Sequence, residues 1–155
     1  MHAYSDSEMP EVIPEISPNT FAVEHIKIRR STLKKDLIKV FEDENILNCV
    51  LEITVVDHRG REEEGKGSGV LRDVFCSFWK EFFSSLTVGA LEKVPNVRHD
   101  HGKNEWVSIA RILVYGVKMA KYFPLDLSSA FIACVLFGEE NVTTELLYEY
   151  VCLTI

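Results

Sequence analysis

Residues 65–83, GKGSGVLRDVFCSFWKEFF, constrain the fold of this chain more than any other stretch. Large apolar side chains recur there at spacings of three and four, the period of an α-helix: Leu71, Val74, Phe75, Phe78, Trp79 and Phe82. Four of these six are aromatic, so one helical face buries a large area. The glycines at 65, 67 and 69 allow the backbone to turn sharply first. We predict a core helix that begins from a glycine turn.

The composition divides the chain into an acidic tail and one domain. Residues 1–24 contain five carboxylates and no Lys or Arg, together with three of the five prolines. Proline prevents a long helix, so we predict a flexible acidic tail over 1–24. The remaining residues, 25–155, fit a single domain, because 46% of the chain is hydrophobic and can form a sizeable core.

Charge and hydropathy exclude several classes of protein. Beyond residue 24 the chain has 17 basic and 19 acidic residues, a balance that does not favour a nucleic-acid partner. The longest uncharged run, 127–138, has twelve residues and is too short to cross a bilayer. No signal peptide opens the sequence, and the four cysteines are scattered singly. We expect an intracellular protein, cytoplasmic or nuclear, with no membrane partner.

Hydrophobic periodicity predicts an α+β fold, mostly helical, with a few short antiparallel strands. Strands are expected at 25–29 and 48–56, and a short edge strand between 86 and 94. Helices are expected at 32–42 with Ser31 as N-cap, at 104–123 with Asn104 as N-cap, and at 127–137 with Asp126 as N-cap. A last helical segment follows residue 141 or 143 and carries an apolar face at Leu146, Leu147 and Tyr150.

The helix at 104–123 is apolar on nearly all sides, which predicts a central helix contacted on most of its surface. Its polar residues fall on one stripe: Ser108, Arg111, Tyr115, Lys118 and Tyr122. Because an unpaired buried charge is costly, we expect Arg111 to emerge at a cleft or to pair with a carboxylate.

No pattern of residues predicts a catalytic, cofactor-binding or metal site. The glycines at 65–69 do not have the spacing of a nucleotide-binding loop. His99, Asp100 and His101 lack a further ligand at a metal-site spacing. Six basic residues lie between Lys27 and Lys39. They are interpreted as a solvated helix face or, alternatively, as an anion-binding patch, although no aromatic residues alternate with them to stack on bases.

Three segments in order resemble the HECT domain of ubiquitin ligases. HIKIRRSTLKKDLIKVF resembles its first strand and helix. GSGVLRDVFCSFWKEFF resembles its Gly-Gly-Val-x-Arg-Glu segment and aromatic helix. ARILVYGVKMAKYFPLDLSSAFIACVLFGEE resembles its Gly-Arg helix and the helix after it. The match covers about residues 25–140. The resemblance implies the large part of the N-terminal lobe. It also implies six signature residues with an expected structural role: Gly67, Gly69, Arg72, Asp73, Arg111 and Gly116.

Departures from the family are also clear. Ser68 replaces the first glycine of the pair, Asp73 replaces a glutamate, and Ala110 replaces the glycine before Arg111. Nothing after Glu140 resembles the docking subdomain for the ubiquitin-conjugating enzyme or the lobe with the thioester-forming cysteine, and Cys152 has the wrong surroundings.

The resemblance therefore implies two alternative functions. One is a ubiquitin-ligase fragment, inactive alone, whose missing parts lie downstream. The other is a non-catalytic protein-interaction module derived from a HECT domain. For either function we expect the chain to have protein partners, with the ubiquitin system implied by the resemblance. We expect no cofactor, and the candidate face for interaction and self-association is Leu146, Leu147 and Tyr150.

Overall fold

The computed structural model describes residues 21–145. Most of the predicted tail and the candidate face at Leu146, Leu147 and Tyr150 lie outside the described residues, as does Cys152. The described part combines helices and strands, as the sequence predicts. No helix among residues 21–145 is both long and apolar enough to cross a membrane.

The first half of the fold is a β-α-β unit. Strand β1 spans Ala22–Arg29, helix α1 spans Leu33–Val40 after a 3₁₀ turn, and strand β2 spans Cys49–Val56 after a second 3₁₀ turn. The two strands pair in parallel, from Ala22 opposite Cys49 to Arg29 opposite Val56. The prediction of antiparallel strands is therefore wrong for this pair. The chain returns through α1 before β2 begins, and a crossover of this kind makes neighbouring strands parallel.

Helix α2, Ser68–Leu86, is the centre of the core, which confirms the prediction from its sequence. All six of the large apolar side chains identified in the sequence are buried, and Leu86 is buried with them. They pack against α1, against β2 and against the helical segment at residues 103–120. One face of β2 contributes Leu51, Ile53 and Val55, all buried.

After α2 the chain forms a small antiparallel pair, β3 (Thr87–Val88) with β4 (Val94–Pro95). Helix α3 follows at Lys103–Tyr115 and continues as a π-helical turn, Gly116–Ala120. Helix α4 spans Ser129–Phe137, with a short 3₁₀ turn behind it at Glu139–Asn141.

The predicted helix caps are wrong. Gly102 precedes α3, and its N–H donates to the Glu105 carboxylate at 2.9 Å. Ser128 precedes α4, and the region of Ser31 is a 3₁₀ turn. The helix predicted over 104–123 ends before Pro124 as expected. It ends earlier than predicted, because Lys121 takes a left-handed conformation with φ 51°.

Helix α3 is not contacted on most of its surface. Part of its polar stripe faces the core: Ser108 and Tyr115 are fully buried and Arg111 is half-buried, whereas Lys118 is exposed. Its apolar residues Val107, Val114 and Val117 are exposed on the other side. Helix α3 therefore turns two of its polar side chains toward the core and several apolar ones toward water, the reverse of the usual amphipathic orientation.

Candidate functional site

The candidate site is an apolar groove between α3 and α4. Its cavity measures about 440 Å³. The side chains that line it come from α3 with its π-helical turn, from the following loop and from α4: Leu113, Val114, Val117, Lys118, Phe123, Phe131, Ile132, Val135 and Leu136. We call this surface the α3–α4 groove.

Helix α4 forms one wall of the groove, and its side chains are apolar on every side of the helix. After Ser129 the helix reads AFIACVLF, without a charged or strongly polar side chain. Among its residues only Ala130 is buried. Val135, Leu136 and Phe137 are each about two-thirds exposed, at 64%, 66% and 65%. Three adjacent large apolar residues exposed on one helix are unusual on a monomeric surface and indicate a contact site.

Helix α3 presents its apolar side to the groove because its polar side chains find partners inside. The Tyr115 hydroxyl accepts from the Leu51 N–H at 2.9 Å and donates to the Cys49 carbonyl at 3.1 Å. The Ser108 hydroxyl donates to the Asn104 carbonyl at 3.1 Å. Burial raises the pKa of Tyr115, so its hydroxyl stays protonated and can make both bonds. The Tyr115 bonds reach β2 and so fix the rotation of α3, whereas the Ser108 bond lies within α3 and only satisfies the buried hydroxyl.

Arg111 also lies on the inner side of α3 and holds the end of α1. Its Nη1 donates to the carbonyl of Phe41 at 3.1 Å and to that of Glu42 at 2.8 Å. Its Nη2 lies 3.5 Å from the Glu44 carboxylate. With Glu42, Asn104 and Val107, Arg111 lines a polar surface pocket. Both alternatives expected for Arg111 from the sequence, a cleft and a carboxylate partner, are therefore confirmed.

A second signature residue, Asp73, belongs to an ion-pair network around Arg30. The Arg30 guanidinium donates two bonds to Glu63, Nε to Oε1 at 2.9 Å and Nη2 to Oε2 at 2.8 Å. Its Nη2 also lies 2.7 Å from Asp73 Oδ2. These contacts raise the pKa of Arg30 and lower the pKa of Glu63. The network ties the end of β1 to the loop after β2 and to the second turn of α2, which is a structural role. Arg72, beside Asp73, is exposed.

The signature glycines have three different environments. Gly67 precedes α2 with φ 84°, a conformation that side chains disfavour. Gly69 lies within the first turn of α2, and a Cβ there would meet nothing within 4 Å. Gly116 is buried, and a Cβ there would lie 3.0 Å from Phe75 Cδ1. Gly67 is therefore needed for the backbone conformation before α2, and Gly116 for the close packing against Phe75.

The signature residues do not converge on one reactive centre, and the groove itself is suited to binding. Within residues 21–145 no group of three or more His, Cys, Asp or Glu side chains is placed to hold a metal ion. Lys118 is the charged residue of the groove lining. Its Nζ lies 3.5 Å from the Leu47 carbonyl and 5.7 Å from the centre of the Phe21 ring, and neither residue lines the groove. The lining thus offers dispersion and hydrophobic contact rather than proton transfer.

Sequence reasoning missed this groove. The signal was present in residues 130–137, which are apolar without a helical period, because an all-apolar helix must be covered on every side. The sequence analysis placed the candidate interaction face at Leu146, Leu147 and Tyr150 instead, outside the described residues. Comparison of the chain with protein-family models, with curated proteins and with solved structures finds no significant match.

Proposed function

We propose that this chain is a non-catalytic protein-interaction module that binds an apolar helix of a partner protein in the α3–α4 groove. The observation that carries the proposal is the exposure of Val135, Leu136 and Phe137 beside a groove whose lining is apolar except for Lys118. Helix-in-groove binding is a common mode of peptide recognition, in which apolar side chains at i, i+3, i+4 and i+7 enter the groove.

The size of the surface indicates a moderate affinity. Complete burial of one Val, Leu or Phe side chain contributes about 1.5–3 kcal/mol. Val114, Val117, Val135 and Leu136 are about half to two-thirds exposed, so covering each one contributes about 1–2 kcal/mol. Association costs at least about 4 kcal/mol in lost freedom. These four side chains alone therefore leave at most about 4 kcal/mol, which corresponds to a Kd of about 1 mM. The apolar side chains that the partner helix buries in return lower the Kd further, toward the micromolar range.

The proposal is tested with a labelled model helix that carries leucines at i, i+3, i+4 and i+7, followed by fluorescence anisotropy. Val135→Glu and Leu136→Glu place a carboxylate on the groove wall and weaken binding by at least about tenfold, because a charge must be desolvated on binding. Lys80→Glu, on the exposed side of α2, is the matched control and leaves the affinity unchanged. Equal affinity for the wild type and both groove variants contradicts the proposal.

A second proposal follows from the HECT resemblance: the chain is the scaffold part of a HECT-like ubiquitin ligase. It is supported by the packing of the three resembling segments into one core. Phe41 of the first segment contacts Phe75 of the second and Tyr115 of the third, with ring centroids 6.2 and 5.4 Å apart. Ubiquitin transfer requires an activated thiolate, and no segment of the 155 residues resembles the cysteine lobe.

The ligase proposal predicts that transfer needs a separate cysteine lobe. The experiment incubates the purified chain with ubiquitin-conjugating enzymes charged with ubiquitin and analyses the products on non-reducing gels. We expect no thiol-sensitive ubiquitin adduct on the chain itself. We expect co-sedimentation with a charged conjugating enzyme or with a HECT cysteine lobe. An adduct on any of the four cysteines disproves the inactive-scaffold proposal, and absence of co-sedimentation disproves its link to ubiquitin transfer.

A further inference from the structure

Within residues 21–145, no strand pairs with the outer edge of strand β1. The backbone N–H of Arg29 donates to the Asp36 carboxylate at 3.1 Å and therefore points away from β2. Residues two apart in a strand direct their backbone groups to the same edge, so those of Val23, His25 and Lys27 also point away from β2. The parallel register agrees. The Leu51 N–H points away from β1, toward the Tyr115 hydroxyl, and in a parallel pair the residue opposite such a position, here Glu24, bonds to the partner strand. The alternate residues of β1, counted from Glu24, therefore bond to β2. None of Val23, His25 and Lys27 has a backbone hydrogen bond at this edge among residues 21–145.

A groove runs between this open edge and helix α1. It is lined by Lys27, Arg29, Asp36, Lys39 and Val40, with a cavity of about 410 Å³. We call it the β1–α1 groove. An open strand edge beside a helix is the arrangement that accepts an extended peptide as an added strand.

The charge of the β1–α1 groove is positive. The Asp36 carboxylate already accepts from the Arg29 N–H at 3.1 Å and from the Thr32 hydroxyl at 3.0 Å. Lys27 pairs with Glu62 at 2.6 Å. In the described part of the chain the side chains of Arg29 and Lys39 have no ion-pair or hydrogen-bond partner, and both are exposed. Two free cations beside unpaired backbone groups complement an acidic peptide.

We propose that the β1–α1 groove binds an extended acidic segment of a partner protein, which pairs with β1 as a third strand and places a carboxylate near Arg29 and Lys39. The unpaired backbone groups favour a peptide over a nucleic acid, because the groove lining contains no aromatic side chain on which a base can stack. This surface and the α3–α4 groove are formed by different helices, so each proposal can fail without the other.

The test uses the full chain and a labelled peptide, acetyl-Glu-Val-Thr-Glu-Val-Thr-Glu-amide, in a fluorescence anisotropy titration at low salt. Lys39→Glu weakens binding by about fivefold or more, because it removes one attraction and adds a repulsion. Arg29→Gln weakens it by about twofold to fivefold. Lys80→Glu is the control for overall charge and changes the affinity by less than about twofold. Thermal unfolding of each variant verifies that the fold is retained.

Two further peptides separate strand addition from simple charge attraction. The same peptide N-methylated at alternate residues keeps its charge but loses backbone donors on one edge, and we expect it to lose binding. A version with lysine in place of glutamate should not bind. Hydrogen exchange across residues 22–29 should slow only with the unmethylated acidic peptide. Equal binding of the methylated peptide, no effect of Lys39→Glu, or no saturable binding by wild type overturns the proposal. So does tighter binding of a single-stranded oligonucleotide of equal charge.

Discussion

Replacement of Tyr115 by phenylalanine tests whether the rotation of α3 is fixed by its buried hydroxyl. The hydroxyl connects α3 to the edge of β2 through Leu51 and Cys49, at 2.9 and 3.1 Å. The ring is fully buried and packs against Phe41 and Phe75. Phenylalanine keeps those ring contacts, so the substitution removes only the two hydrogen bonds.

The expected cost follows from the groups left behind. The Leu51 N–H is in buried surroundings, and an unsatisfied buried donor costs about 1–3 kcal/mol. Cys49 is half-buried, so its carbonyl can reach water and adds less. Tyr115→Phe should lower the free energy of unfolding by about 2–3 kcal/mol. For a chain of this length that corresponds to a fall in Tm of about 5–10 °C.

Urea unfolding followed by fluorescence measures the change, with an unchanged m-value as the sign of a purely energetic effect. Tyr122→Phe is the matched control. The Tyr122 hydroxyl contacts the Cys76 thiol, and burial raises the pKa of Tyr122 to about 12. A thiol is a weak hydrogen-bond partner, so the control should lose less than about 1 kcal/mol. A Tyr115→Phe loss no larger than that of the control, with Leu51 amide exchange unaltered, refutes the reasoning.

Three other substitutions test structural roles, one at Glu63 in the Arg30 ion-pair network and two at signature glycines. Glu63→Gln breaks the pair with Arg30; because that pair lowers the folded-state pKa of Glu63 below 4.5, its stabilisation is present above pH 4.5 and lost as pH falls through the lowered value. The gap in unfolding free energy between wild type and Glu63→Gln should therefore shrink from pH 7 to pH 3 in urea titrations, and a constant gap contradicts it. Gly116→Ala should destabilise the protein by about 1–2 kcal/mol, because its Cβ would lie 3.0 Å from the buried Phe75 ring. At Gly69 a Cβ would meet nothing within 4 Å, so Gly69→Ala should be neutral or stabilising by up to about 1 kcal/mol. A lower Tm for Gly69→Ala than for Gly116→Ala contradicts this prediction.

Local patterns predicted the elements correctly where one face is clearly apolar. The three-and-four spacing of α2 predicted its buried side chains, and the strand predicted at 48–56 forms as β2, Cys49–Val56. The caps were predicted less well. Gly102 has no side chain with which to cap a helix, and Glu105 takes that role through the Gly102 N–H. Capping depends on the local path of the backbone, which residue identity alone does not define.

The strand direction and the orientation of α3 required contacts between residues far apart in the chain. Arg111 and Tyr115 lie on the polar stripe of the helix predicted at 104–123. They face inward because carbonyls some 65–70 residues earlier accept their hydrogen bonds. A polar group can be buried only when a partner is present, and the partners here are backbone atoms, which carry no signature in the side-chain pattern.

The sequence by itself determined which segments are apolar and helical, and therefore that α2 lies at the centre of the core. Only the tertiary structure decided which surfaces remain open, because exposure depends on what packs against each face. The hydrogen-bond partners of Arg111 and Tyr115 hold that side of α3 inward and leave Val114 and Val117 exposed. In the described part of the chain, the parallel pairing of β1 and β2 leaves the outer edge of β1 without a neighbouring strand. Both proposed binding grooves result from these two choices of packing.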